Sequence, residues 1–417
     1  MKENNSNYKL NNDKIEFLNF DFDEKKYLDF RHYLHQYPEL SLKEYKTKEF
    51  ILKFVKNFKN FNYAKVTEVL ETGFWIDVKG KGNYELDKEI SLAIRTDLDA
   101  LPLKEESDLP YKSKVDGVCH ACGHDGHMTV VTATLECVLN NIFNIPNNLN
   151  IRFLYQPGEE GFNGSQMMID QGCLININEI YGYHNVTIFN VGELGIKSGP
   201  VMAGAIFFDI DIVGKGGHGS APNLCESPIT AGSELILKMN QITSQKISSD
   251  CRSVLTTCSF KSGDAYNVIP EKANIKGSIR FFDNKTGKDI ESLINKYIKG
   301  IEISNNVSID MKCPYPTIVT TNDEELTYNI VIPAIKNRTN LEINSNNLPV
   351  SASEDFSNYQ KIIPGVFIML GARDDNHKEY LHTPTYNYND RSTIYGIQGL
   401  LAIIDERLNK NIFLSKK

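Results

Sequence analysis

Apolar residues recur at helical spacing in two consecutive stretches near the start of the chain, EKKYLDFRHYLHQYPE at 24–39 and SLKEYKTKEFILKFVKNF at 41–58. Pro38 and Ser41 supply a break and a cap between them, so the pattern predicts two helices in sequence. Three compact apolar runs follow, FWIDV at 74–78, ISLAIR at 90–95 and LNIRFLY at 149–155, with a helical pattern from His127 to Phe143 before the third. Strands that are apolar almost throughout, alternating with helices, predict an α/β sheet covered by helices. Around Gly199 the texture changes. AIFFDIDIVG, SVLTTCSF and NIKGSIRFF alternate apolar and polar positions, as half-exposed strands do, and helical stretches lie at 226–245 and 286–299. A strand-helix-strand-strand-helix-strand series ending near VSIDMKC predicts a smaller α+β sandwich inserted into the larger domain. Beyond Pro314 long helical patterns return, with one buried strand, VFIML. The expected organisation is a main α/β domain, 23–200 and 314–417, with a mixed sheet. It is interrupted by an inserted domain at 201–313 and preceded by a polar, flexible tail at 1–22.

Composition narrows the class of protein. A chain of 417 residues that is 41% hydrophobic and 24% charged can bury a sizeable core, and its length suits two domains. The net charge of −8 argues against nucleic-acid and anionic-membrane partners and leaves small molecules. Eight cysteines without regular spacing read as thiols in a reducing compartment. The N-terminal MKENNSNYKLNNDK has no apolar core of a leader, and no apolar run approaches the ~18 residues of a membrane span, so the expected location is the cytoplasm.

Candidate chemistry is concentrated in three segments. CHACGHDGH at 119–127 holds three of the nine histidines beside Cys119, Cys122 and Asp125. A turn at Gly123 or Gly126 can aim Cys122 and His124 at one centre, a thiolate and an imidazole of the kind that binds zinc and its neighbours. The plainer reading is a loop with Asp125 capping the next helix. The second segment, Gln156-Pro157-Gly158-Glu159-Glu160-Gly161, follows a strand. Adjacent carboxylates there repel unless a cation or protons neutralise them, although a lone Glu-Glu pair is more often solvated. One could ligate a metal while the other takes a proton from water. Third, the run Ala93–Pro102 ends a buried strand in Asp97 and Asp99, where α/β sheets place their sites. Asp99 is the natural support for a ligand histidine. His184 in IYGYHN ends a short apolar strand and His382 in YLHTP sits in a loop.

These blocks together resemble the dinuclear-metal amidohydrolases that include aminoacylases, hippurate hydrolase, N-acetyl-diaminopimelate deacetylase and the auxin-amino-acid conjugate hydrolases. The likeness runs in order through RHYLHQYPEL, IRTDLDALP, HACGHDGH, YQPGEEGFNGSQMMIDQG, GYHN, SGPVMAGA, GKGGHGSAP, GDAYNVIPEKANIKGSIRFF, SEDF, VFIMLG and LHTP. It implies a metal-binding catalytic domain interrupted by a lid and dimerisation domain, which offers a route to a homodimer. It implies Cys122, His124, Glu160, His184 and His382 as ligands of two divalent ions, with Zn, Mn, Co or Ni favoured by a thiolate ligand. Glu159 becomes the general base, with Asp99 supporting the catalytic set, and Cys122 the ligand best suited to bridge both ions. His218, Asn267 and Arg280 become substrate contacts, Arg280 through two parallel hydrogen bonds to a carboxylate.

Two departures stand out. Cys119 precedes HACGHD where relatives usually carry an apolar residue, creating a CxxC pair whose disulfide would consume Cys122. Ser227 replaces a usual Asp before a lid helix, where Ser can still cap. The resemblance implies hydrolysis of the amide of an N-acyl amino acid. The alternatives are a dipeptidase or carboxypeptidase on the same scaffold and a non-catalytic metal or small-molecule binding protein.

Overall fold

A computed structural model of the chain describes residues 23–414; the tail expected at 1–22 lies outside the described residues. Two compact units are separable. One holds the described chain up to Gly199 together with Thr321–Leu348 and the residues from Asn358 onward; the other is Pro200–Thr320 with Pro349–Ser357.

In the first unit, helix α1 (Glu24–Gln36) starts at Asp23, whose carboxylate accepts the Lys26 N–H at 3.0 Å. Its buried face carries Tyr27, Phe30 and Leu34, but also Arg31 and His35. Helix α2 (Tyr45–Val55) begins after Glu44 rather than at Ser41. Leu42, in the left-handed region at φ 62, turns the chain between them, and the Ser41 hydroxyl donates to Asp99 Oδ2 at 2.6 Å instead of capping the helix.

The strands β1 (Ala64–Val69), β2 (Gly73–Lys79), β3 (Ile90–Asp97), β4 (Leu149–Gln156), β5 (Glu179–Asn190) and β6 (Glu193–Gly195) form a mixed eight-stranded sheet with Glu342–Asn344 and Gly365–Arg373. The order is β1-β2-β4-β3-β5, then Gly365–Arg373, β6 and Glu342–Asn344. The central strands are apolar because both faces are covered: Leu92, Ala93, Ile151, Phe153 and Tyr155 have no exposed surface, and each such burial contributes on the order of 1.5–3 kcal/mol for the larger side chains. Phe74 of β2 stacks on Tyr155 of β4 with ring centroids 4.4 Å apart. Helix α3 (His124–Asn140) lies against this sheet and against the C-terminal helix Arg391–Leu408, which is why it is buried on nearly every side and shows no clear amphipathic stripe. It starts earlier than the apolar pattern, right after Gly123. Strands β3 and β4 are parallel with Asp97 opposite Gln156, so residues 97–99 and 157–160 leave the sheet side by side at the carboxyl ends of these strands.

The second unit is an antiparallel four-stranded sheet in the order Ser253–Lys261, Lys272–Phe281, Gly204–Val213, Ser308–Lys312. Helices Pro228–Asn240 and Asn284–Asn305 pack on one face. The period-two pattern of Gly204–Val213 buries Ile206, Phe208, Ile210 and Ile212 and exposes Phe207 and Val213. Ser227 caps Pro228–Asn240 through its Oγ and the Thr230 N–H. The segment 349–357 joins this unit through the Val350 N–H to Val201 O and the Ala203 N–H to Ala352 O, a return that no apolar pattern marks. No helix among the described residues is long and apolar enough to cross a membrane.

Candidate metal centre

The five side chains expected as ligands converge within the first unit. Gly123, at φ 88, makes the turn that lets Cys122 and His124 face one centre, and a Cβ there would meet Asn185 Oδ1 at 2.5 Å, so the turn admits only glycine. His184 lies inside β5, which runs six residues past it, rather than at a strand end. His382 sits in a loop, itself at φ 63, and is tied down by its N–H donating to Ala121 O at 2.9 Å. The Cys122 sulfur lies 3.3 Å from His184 Nε2 and 3.2 Å from His382 Nε2, and His382 Nε2 is 3.1 Å from Glu160 Oε1. Donor atoms of Cys122, His124 and His184 lie within 4.8 Å of one another, as do those of Cys122, Glu160 and His382, and those of His124, Glu159 and Glu160.

Each buried imidazole is oriented by its other nitrogen. His124 Nδ1 donates to the Asp99 carbonyl at 2.8 Å and His184 Nδ1 to the Asn185 carbonyl at 2.8 Å, which leaves both Nε2 atoms aimed at the centre. His127, which points to the same region, donates from Nδ1 to Asp97 Oδ1 at 2.7 Å, and its Nε2 lies 2.5 Å from Asn185 Oδ1 and 3.1 Å from the Asn185 backbone nitrogen. Asp97 is further held by Arg95 Nη1 at 2.7 Å. The Asp99 carboxylate accepts the N–H groups of Glu159 (3.1 Å) and Glu160 (2.9 Å) besides the Ser41 hydroxyl. Asp99 thus fixes the backbone of the Glu-Glu pair with its carboxylate and the His124 ring with its carbonyl.

The electrostatics fit a cation. Among the described residues His124 Nε2 is buried without a hydrogen-bond partner, an arrangement that costs ~1–3 kcal/mol unless something occupies the centre. Burial, followed by the nearby His127 and His124 rings, pushes the His184 imidazole well down, so it offers a neutral lone pair. Burial opposes the His124 imidazolium, but Asp97, Asp99 and Glu160 outweigh it and hold its pKa at about 10. Burial and the carboxylates of Glu160 and Glu159 push the Cys122 thiol well up, so a thiolate here needs a compensating positive charge. A buried thiol, two buried imidazoles, a half-buried carboxylate and the exposed imidazole of His382 are the donor types of zinc-like divalent ions.

A layer of charge beneath this centre escaped the reading of the sequence. Asp125 does not cap α3; its Oδ2 accepts Arg31 Nη1 at 2.7 Å and His35 Nδ1 at 2.9 Å. Burial works against the Asp125 carboxylate, but His35 and Arg31 hold its carboxyl well below the usual range. The spacing of Arg31 and His35, on the buried face of α1 four residues apart, was the available signal. Cys119 and Cys122 are both buried free thiols, and burial followed by Glu105 pushes Cys119 up to about 12, which disfavours the thiolate that disulfide exchange requires.

The remaining expected residues lie in the second unit. His218 and Val268 pair across a two-stranded ribbon, Gly217–His218 with Val268–Ile269, and the Asn267 carbonyl accepts the Gly219 N–H at 2.8 Å. His218 Nδ1 accepts the Ser220 N–H at 3.2 Å, so its exposed Nε2 carries the proton. Arg280 donates to Ser353 Oγ at 2.7 Å and lies over the Phe207 ring at 5.0 Å; among the described residues no carboxylate pairs with it.

The pattern of peptidase family M20/M25/M40 matches residues 93–406. A hippurate hydrolase of Campylobacter jejuni is 35% identical over 365 residues, covering 87% of this chain and 91% of its own. An N-acetylcysteine deacetylase of Bacillus subtilis is 30% identical over 367 residues, covering 88% and 92%. Among solved structures, a dinuclear metal-binding M20 peptidase of Bacillus subtilis superposes with a TM-score of 0.75 at 27% identity, covering 92% of this chain and 98% of its own.

Proposed function

Because the chain belongs to peptidase family M20/M25/M40, whose relatives are named as hydrolases of amide bonds, we propose that it hydrolyses the amide of N-acyl amino acids, releasing a carboxylate and a free amino acid. The observation that carries the reading is the convergence of Cys122, His124, Glu160, His184 and His382 with Glu159 beside them. These five side chains would hold two divalent ions, as the donor set suits. When bound, such ions supply Lewis-acid polarisation of a carbonyl and acidify water.

The chain's own part follows from its groups. The Glu159 carboxylate takes a proton from the attacking water as its oxygen bonds to the carbonyl carbon, then delivers that proton to the amide nitrogen as the C–N bond breaks. Asp99 keeps the Glu159 and Glu160 backbone in place through that cycle. Arg280, with no carboxylate partner among the described residues, is assigned to the free carboxylate of the substrate, and the Nε2–H of His218 with Asn267 to the carbonyl oxygen as it gains charge.

The two curated relatives are named for a benzoylated and an acetylated amino acid, so the shared requirement is an N-acyl group on an α-amino acid. The test is a panel of N-acetyl and N-benzoyl amino acids and free dipeptides, assayed with added Mn, Zn, Co and Ni. The reading expects turnover of N-acyl amino acids that chelation abolishes. Turnover of dipeptides alone would replace it with a dipeptidase.

A further inference from the structure

The segment between α1 and α2, PELSLKE, has no role in the chemistry above, yet it touches both catalytic loops. The Glu39 carbonyl accepts the Ala100 N–H at 2.8 Å, and Ser41 donates to Asp99. Glu44 reaches the other loop: its Oε1 accepts the Gly158 N–H at 2.9 Å and the Leu42 N–H at 2.9 Å, from a side chain with no exposed surface. The Gly158–Asn163 turn that this bond meets is conformationally costly. Gly158 is left-handed (φ 64), Gly161 stands at φ 123 and Asn163 at φ 56, and Glu160 departs from helical geometry with ψ 46. Successive N–H groups in such a turn form a concave anion site. Here the N–H groups of three consecutive residues, 158, 159 and 160, are taken by two buried carboxylates, Glu44 for the first and Asp99 for the other two. Leu42 is itself held left-handed at φ 62, a conformation that L residues rarely adopt, and the Glu44 bond to its N–H stabilises that turn.

We propose that Glu44 is a positioning residue for the general base: its carboxylate clamps the Gly158 N–H and so sets the direction in which the Glu159 side chain leaves the backbone. The inference rests on Glu159 being the base. Glu44 touches neither substrate nor ligand side chains; it acts through the Pro157-Gly158-Glu159 backbone. The clamp needs an acceptor oxygen and does not need a charge. Glu44→Gln therefore preserves it, whereas Glu44→Leu removes it at similar volume and leaves two N–H groups unpaired.

The experiment uses the metal-loaded full chain with an N-acetyl amino acid, and measures metal content, KM, kcat and amide hydrogen exchange of the peptide containing 156–165. For Glu44→Leu we expect unchanged metal content, KM within about threefold, kcat lower by about 10- to 100-fold, and faster exchange at Gly158. Glu44→Gln should keep kcat within about fivefold and leave the exchange slow. In the Glu159→Gln background, Glu44→Leu should lower kcat by less than about twofold further, because the group it positions is already gone. A Glu44→Leu enzyme with wild-type kcat overturns the proposal, and so does an equal loss in the leucine and glutamine variants. A full additional loss in the Glu159→Gln background also overturns it, since that marks a general structural defect. Should Glu159→Gln alone keep its turnover, the assignment of the base fails, while the exchange rate at Gly158 still reports whether Glu44 holds the turn.

Discussion

Replacing Asp99 by alanine isolates what holds the two glutamates in place. Its buried carboxylate accepts three hydrogen bonds, from the Glu159 N–H, the Glu160 N–H and the Ser41 hydroxyl. The Ser41 hydroxyl can rotate toward water, because Ser41 is only half-buried, so the loss falls on the two backbone N–H groups. A buried donor left without an acceptor costs ~1–3 kcal/mol, and the partial exposure of Glu159 and Glu160 favours the lower half of that range. Asp99→Ala should therefore destabilise the metal-free protein by about 2–4 kcal/mol in urea unfolding. Because the same N–H groups belong to the ligand Glu160 and the base Glu159, metal affinity in chelator competition should fall by about 10- to 100-fold. Asp99→Asn, whose amide oxygen can serve one N–H but whose NH₂ faces the other, should fall between the two. An Asp99→Ala protein with wild-type urea midpoint and wild-type metal affinity would refute the claim that Asp99 organises this turn.

Gly164→Ala probes the same turn from its far side: a Cβ there would stand 1.7 Å from the Pro157 carbonyl oxygen, backbone that cannot step aside. It should cost about 1–3 kcal/mol in urea unfolding and lower kcat, and unchanged values of both would contradict the close approach. Glu44 gives a pH test. Burial, followed by the Asp99 carboxylate, raises its pKa to about 7 from an ordinary 4.5. The folded state then binds the proton more tightly than the unfolded one, so Glu44's contribution to stability is full below pH 4.5 and is lost as pH rises toward 7. In metal-free protein, the stability of wild type relative to Glu44→Gln should fall by about 3 kcal/mol from pH 4.5 to 7.5; a difference that does not move with pH would contradict that burial.

The strands and the ligand blocks were legible because they advertise themselves in composition. Apolar runs such as LNIRFLY mark strands covered on both faces, and Cys, His and paired Glu next to glycines have no ordinary role in a core. What stayed hidden is what depends on tertiary contact. Ser41 reads as a helix cap in sequence, and only the left-handed turn at Leu42 redirects it to Asp99. Glu44 lies within a helical pattern, where a glutamate is expected to be solvated; its burial against Gly158 is set by a loop 114 residues away. Asp125 looked like a cap because its partners, Arg31 and His35, come from another helix. The segment 349–357 carries little apolar periodicity and belongs to the second unit through backbone hydrogen bonds that any residues could make.

The central claim is that Glu159 moves the proton while its neighbours hold the metal. Glu159→Gln and Cys122→Ala, purified side by side, separate these roles by metal content per chain and kcat on an N-acyl amino acid. The account predicts wild-type metal content with kcat lower by about 10²- to 10⁴-fold for Glu159→Gln, and loss of metal together with activity for Cys122→Ala. A Glu159→Gln enzyme that turns over at the wild-type rate, or a Cys122→Ala protein that keeps its full metal content, would contradict it.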